Sequence, residues 1–157
     1  MATFNSTEYT AQGESRANPS RLGDPNISSG SVEFAIVPYT LAGTEAATDT
    51  INLCLLPRDC IPVPALSKVV CADPGTTLTL DIGTSNDADG FADGIVLSAG
   101  GQVEFGTSSP LPAWLAQTPL VPDTGSGNAV IKATVVSAAS LTASVVLYFV
   151  LAWKRGR

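Results

Sequence analysis

Apolar and polar positions alternate along much of this chain with the two-residue period of a strand. The cleanest case is "TTLTLDIG" at 76–83, where Leu78, Leu80 and Ile82 share one face and Thr77, Thr79 and Asp81 the other. "SVEFAIVPYTL" at 31–41 also alternates, with Pro38 limiting its pairing. "TINLCLL" at 50–56 predicts a further strand. "GIVLSAGGQVEFG" at 94–106 predicts a short strand, a Gly-Gly turn and a return strand in the manner of a hairpin. Between these lie "GTEAATD", a loop, and "TSNDADGFAD", a turn. "PRDCIPVPALSKVVCADPG" carries four prolines in nineteen residues, which argues against a helix and for edge strands, bends and tight turns. "TSSPLPAWLAQTPLVPDTGSGN" is a second Pro-rich excursion, with room for one short helical turn at "LPAWLAQ".

The last two strands are "AVIKATVVS" at 129–137 and "ASVVLYFVLAW" at 143–153, expected to pair as a hairpin through "SAASLT". The unbroken apolar run is Val145 to Trp153, nine residues. A membrane helix needs about 20. Read as a strand, the run puts Ala143, Val145, Leu147, Phe149, Leu151 and Trp153 on one face. Ser144, Val146, Tyr148, Val150 and Ala152 fall on the other. Both faces are largely apolar, so the strand is expected at the centre of a sheet, covered by a second sheet on one side and by an arm or a neighbouring subunit on the other.

The count comes to about eight strands, with turn signals every 8–12 residues or so. The fold class is therefore all-β: a single antiparallel β-sandwich, jelly-roll-like, over residues 31–157. Residues 1–30, with "ANPSRLGDPNISSGS", have little hydrophobic period and read as an extended N-terminal arm. Phe4, Tyr9, Arg16, Arg21, Leu22 and Ile27 are its candidate partner contacts. No fixed-period repeat divides the 157 residues, which fit one domain.

Composition narrows the chemistry. Charged residues make up 14% and apolar ones 45%, with a net charge of −6. The eight basic residues are scattered except for Lys154, Arg155 and Arg157, so nucleic acid is not an expected partner. "MATFNSTEYTAQ" has neither the charged nor the apolar stretch of a signal peptide. The three cysteines, Cys54, Cys60 and Cys71, form no CxxC and are read as free thiols of a reducing compartment. No histidine occurs, which removes the Ser-His-Asp and Cys-His arrangements. No GxSxG, P-loop or Rossmann fingerprint is present. Asp87, Asp89 and Asp93 could offer oxygens to Ca²⁺, but their spacing misses the EF-hand pattern, and Asp and Gly are the ordinary residues of a turn. No catalytic residue, metal or cofactor is expected.

"VPYTLAGTEAATDTINLCLLP", "IPVPALSKV", "ADPGTTLTLDIG" and the closing "FVLAW" give the chain, from about Arg16 to Trp153, a resemblance to capsid cement, or head decoration, proteins of tailed bacteriophages. It departs from that pattern at "RDC", where a small turn such as Gly-Ala is expected. The resemblance implies a β-sandwich that binds the outside of a capsid and joins neighbouring major capsid subunits. It also implies a homotrimer, a place on the virion after assembly in the host cytoplasm, and no catalysis. The alternative is a receptor- or glycan-binding β-module of a tail fibre or spike, with Trp114 as its exposed aromatic. A carboxylate hydrolase built on Asp81, Asp87, Asp89 and Asp93 is a third reading, and a membrane-anchored protein a fourth.

Overall fold

The computed structural model describes residues 3–5, 32–107, 112–116, 120–121 and 127–155. Ten strands occur among them. They are β1 (Thr3–Asn5), β2 (Val32–Thr40), β3 (Thr50–Pro57), β4 (Cys60–Pro62), β5 (Lys68–Cys71), β6 (Gly75–Gly83), β7 (Ala92–Leu97), β8 (Gly101–Glu104), β9 (Asn128–Leu141) and β10 (Val146–Arg155). Sheet I has the order β1-β3-β9-β6-β7. Sheet II has the order β2-β10-β5-β8, with β4 also paired to β10. All pairings are antiparallel except the three-residue β1–β3 contact, which is parallel. The two sheets pack as a sandwich. Among the described residues there is no α-helix, only 3-10 turns at Pro64–Leu66, Phe105–Thr107 and Ala113–Ala116.

The core follows the alternation. Leu147, Phe149 and Leu151 of β10 are fully buried, as are Leu78, Leu80 and Ile82 of β6. Ile51, Cys54 and Leu56 of β3 face inward, paired with Ala133, Ile131 and Ala129 of β9. These small and large residues meet across the two sheets and form one continuous cluster. β2 lies at the edge of sheet II, which is where Pro38, lacking an N–H, is tolerated.

Two expected hairpins are corrected. β9 and β10 do not pair with each other: β9 lies between β3 and β6 in sheet I, and β10 between β2 and β5 in sheet II. The chain crosses the sandwich through Thr142–Val145, with Ser144 left-handed at φ 68°. Each strand is apolar enough to need two neighbours and an opposing layer, and placing one at the centre of each sheet satisfies both. Likewise β7 and β8 belong to different sheets, and Gly100 and Gly101, at φ 71° and 106°, turn the chain between layers. Among the described residues the one consecutive antiparallel pair is β6–β7, closed by residues 84–91.

A candidate interaction face

The outward faces of the two sheets differ in chemistry. Cross-strand partners share a face, so the register alone sorts them. On sheet I, Asn52, Lys132 and Gly83 form one outward row, and Thr50, Thr134 and Asp81 the next. Thr79 follows, between Ser137 and Val96. Lys132 Nζ donates to Ser85 Oγ at 2.8 Å. This face is mostly polar; its exposed apolar residues are Val96 on β7 and Val136 on β9, and Leu55 pairs with Val130 on the same side at half-burial.

Sheet II is the reverse. One outward row runs Ile36–Val150–Lys68–Glu104, and the next Pro38–Tyr148–Val70–Gln102. Phe34 pairs with Ala152, and Thr40 with Val146. The first row turns polar at β5 with Lys68 and the second only at β8, after Val70; Lys68 Nζ donates to Gln102 Oε1 at 3.0 Å. Ile36 is 66% exposed, Phe34 56% and Tyr148 46%. The inner face of β10 is buried by the core and its outer face is open at Tyr148; the arm expected to cover that outer face lies, beyond β1, outside the described residues. The sequence identified Val146, Tyr148 and Val150 but not Phe34 and Ile36. Their signal was present in "VEFAIVPYT", where Phe34 and Ile36 on one face alternate with Ala35 and Val37 on the other, leaving both apolar.

The opposite, inward side of β2 and β10 ends in an electrostatic contact. Trp153 Nε1 donates to Glu33 Oε2 at 3.1 Å. Arg155 Nε is 3.3 Å from Glu33 Oε1, close enough for an ion pair but at a geometry that makes no hydrogen bond. Cys60, opposite Arg155 on β4, is buried, and burial first and the Glu33 charge second push its thiol up to about 11. Burial and Asp73 raise the Cys71 thiol as well. Cys54 is equally buried. Protonated, enclosed thiols are poor nucleophiles.

The other sequence candidates are absorbed by structure. Trp114 is only 6% exposed. Its ring meets Phe91 edge-on at 5.6 Å between centroids, and Phe91 meets Phe105 at 5.7 Å. Its indole N–H bonds the Asp87 carboxylate. It therefore closes one end of the core and offers no platform to a sugar. Asp81 accepts the Gly94 N–H at 2.8 Å. Burial, and then a carboxyl contact with Asp89, raise Asp87 above the ordinary carboxylate value. Burial first, with Asp93 and Asp89 adding to it, does the same to Asp81. Among the described residues no group of three or more acidic or Cys side chains is arranged to hold a metal ion. No described helix is long and apolar enough to cross a membrane. Of the arm candidates, Phe4 falls within β1; Tyr9, Arg16, Arg21, Leu22 and Ile27 lie outside the described residues.

No family model and no curated protein matches the chain. Two solved structures do. A chain in a structure described as the capsid of Ralstonia phage GP4 is similar at 22% identity, over 99% of each chain, with a TM-score of 0.66. A chain in the cyanophage Pam1 capsid asymmetric unit is similar at 18% identity, over 87% of this chain and 94% of that one, with a TM-score of 0.52. At these identities the likeness is one of fold: this chain has the two-sheet architecture of a chain in each of two phage capsid structures.

Proposed function

We propose that this chain is a structural protein of a phage virion that binds the outside of the capsid and cements neighbouring major capsid subunits. Its working form is a homotrimer, and the part of its arm, residues 1–30, that follows β1 reaches across a subunit boundary. The observation that carries this reading is the likeness to a chain of the Ralstonia phage GP4 capsid over nearly the full length of both. The chemistry of the chain supports it. A cement protein adds contact area and needs no reacting centre; here the thiols are enclosed and the carboxylates serve their own turn. Sheet II presents an open apolar face of the kind that marks association. Several arms on one oligomer bind cooperatively, because each contact made raises the effective concentration of the next. The glycan-binding alternative loses its residue, since Trp114 is enclosed.

Co-sedimentation of the full-length protein with purified capsid shells tests this. The protein should pellet with shells and stay in solution without them; failure to pellet removes the reading. Replacing Tyr9, Arg16, Arg21, Leu22 and Ile27 together by serine should lower shell affinity by roughly tenfold or more, equivalent to about 1.4 kcal/mol. The far-ultraviolet circular dichroism should not change. Unchanged affinity would remove the arm from the mechanism and leave the rest.

A further inference from the structure

We infer that the outer face of sheet II, centred on Phe34, Ile36 and Tyr148, is where copies of this chain meet one another, and that the capsid is gripped elsewhere. The inference takes from the reading above only that the protein is an oligomer.

Area is the first argument. With about 200 Å² for a large side chain, the three residues expose roughly 300–350 Å². Val70, Val146 and Val150 extend the same surface at half-burial, and Pro38 lies exposed among them. A standard interface takes about 800 Å² from each partner, with an apolar centre inside a polar rim. The face supplies that centre, and Thr40, Lys68, Gln102 and Glu104 supply a rim. Its core holds no charge. That composition suits a permanent self-contact, since homo-oligomer interfaces are more apolar than those of proteins that also exist apart.

Charge is the second argument. A chain of net charge −6 approaches its own copy most easily where its carboxylates are absent. Asp81, Asp87, Asp89 and Asp93 all belong to β6, β7 or the turn between them, in sheet I. The rim of sheet II carries Lys68 and Glu104 side by side on β5 and β8, with Lys154 on the same side at the end of β10, so its margin holds charges of both signs and little net repulsion. The outer face of sheet I exposes no aromatic or isoleucine: its apolar residues there are Val96, Val136, Leu55 and Val130, interleaved with Asn52, Lys132, Thr134 and Thr79.

Sedimentation equilibrium on the full-length protein provides the test. Wild type should be a closed oligomer at micromolar concentration. Ile36→Lys, and Phe34→Lys in a second variant, should weaken association by tenfold or more, the effect of truncating or charging an interface anchor. Both side chains point outward, so circular dichroism and thermal unfolding should stay native. Val96→Lys, on the outer face of sheet I, should associate as wild type does. A wild type that is monomeric throughout would overturn the inference. So would Ile36→Lys and Phe34→Lys variants that are folded and still oligomeric. If wild type is monomeric and Ile36→Lys abolishes pelleting with shells, the face belongs to the capsid, which also overturns it. An oligomer that ignores shells would instead sink the cement reading while leaving this assignment standing.

Discussion

The carboxylate of Glu45 is buried in the turn after β2, where it accepts three hydrogen bonds. The donors are the Tyr39 hydroxyl at 2.9 Å, the Ala42 N–H at 2.6 Å and the Gly43 N–H at 2.9 Å. Burial, and then this carboxylate, keep the Tyr39 phenol protonated well above its ordinary range. Glu45→Ala strands two backbone donors and a buried hydroxyl, and should cost about 1–3 kcal/mol in urea unfolding. Asp87 works in the opposite sense. Its folded-state pKa is raised above the ordinary 3.8 by burial and by Asp89, while the Trp114 N–H pulls the other way. In the window just above pH 3.8 the folded state therefore holds more of this proton than the unfolded state does. The stability it contributes is complete below that pH and is lost as pH rises through the folded pKa. Asp87→Asn keeps an oxygen for Trp114 and removes the titration. Relative to wild type it should be more stable at pH 7 than at pH 3.5, a difference that thermal melts at the two pH values will read. An equal offset at both would show that Asp87 is not the group responsible.

At the scale of the element, the β6–β7 connection shows how little slack the turns carry. Thr84, itself buried, donates its N–H to the Asp87 carbonyl at 2.7 Å, and its Oγ1 accepts from the N–H groups of Asn86 and Asp87 at 3.3 Å each. Gly90 follows, and a Cβ there would run into the Trp114 indole. Gly90→Ala should therefore lower stability by about 1–3 kcal/mol, as overpacking does, and shift the tryptophan emission; unchanged emission would mean the indole has room to spare. The turn was legible in "TSNDADGFAD" because Asp, Asn and Gly encode it locally, and the strands were legible because their period is local too. The hairpins were not. Nothing within "SAASLT" or "SAGG" tells whether the next strand returns beside the last or crosses to the opposite layer. That choice depends on strands up to a hundred residues away, competing for places beside β9 and β10.

For the whole molecule, the informative property is that one outer face is mostly polar and the other mostly apolar. The apolarity of both sides of the last strand was readable from Leu147, Phe149 and Leu151 alternating with Val146, Tyr148 and Val150. The face it forms with Phe34 and Ile36 was not, because only the register Ile36↔Val150 and Pro38↔Tyr148 brings the first long strand beside the last. That adjacency has a consequence for biosynthesis. β10 comes after β2, β4 and β5 in chain order and is the strand all three pair with. A nascent polypeptide emerging from the ribosome thus lacks the scaffold of an entire layer until its final hydrophobic ribbon is translated. Its ordering is necessarily late and rich in distant contacts, which slows it. Until then Val37 and Tyr39, buried in the finished fold, are accessible to other unfinished chains, and premature termination ahead of Val146 yields aggregates and no partly working protein.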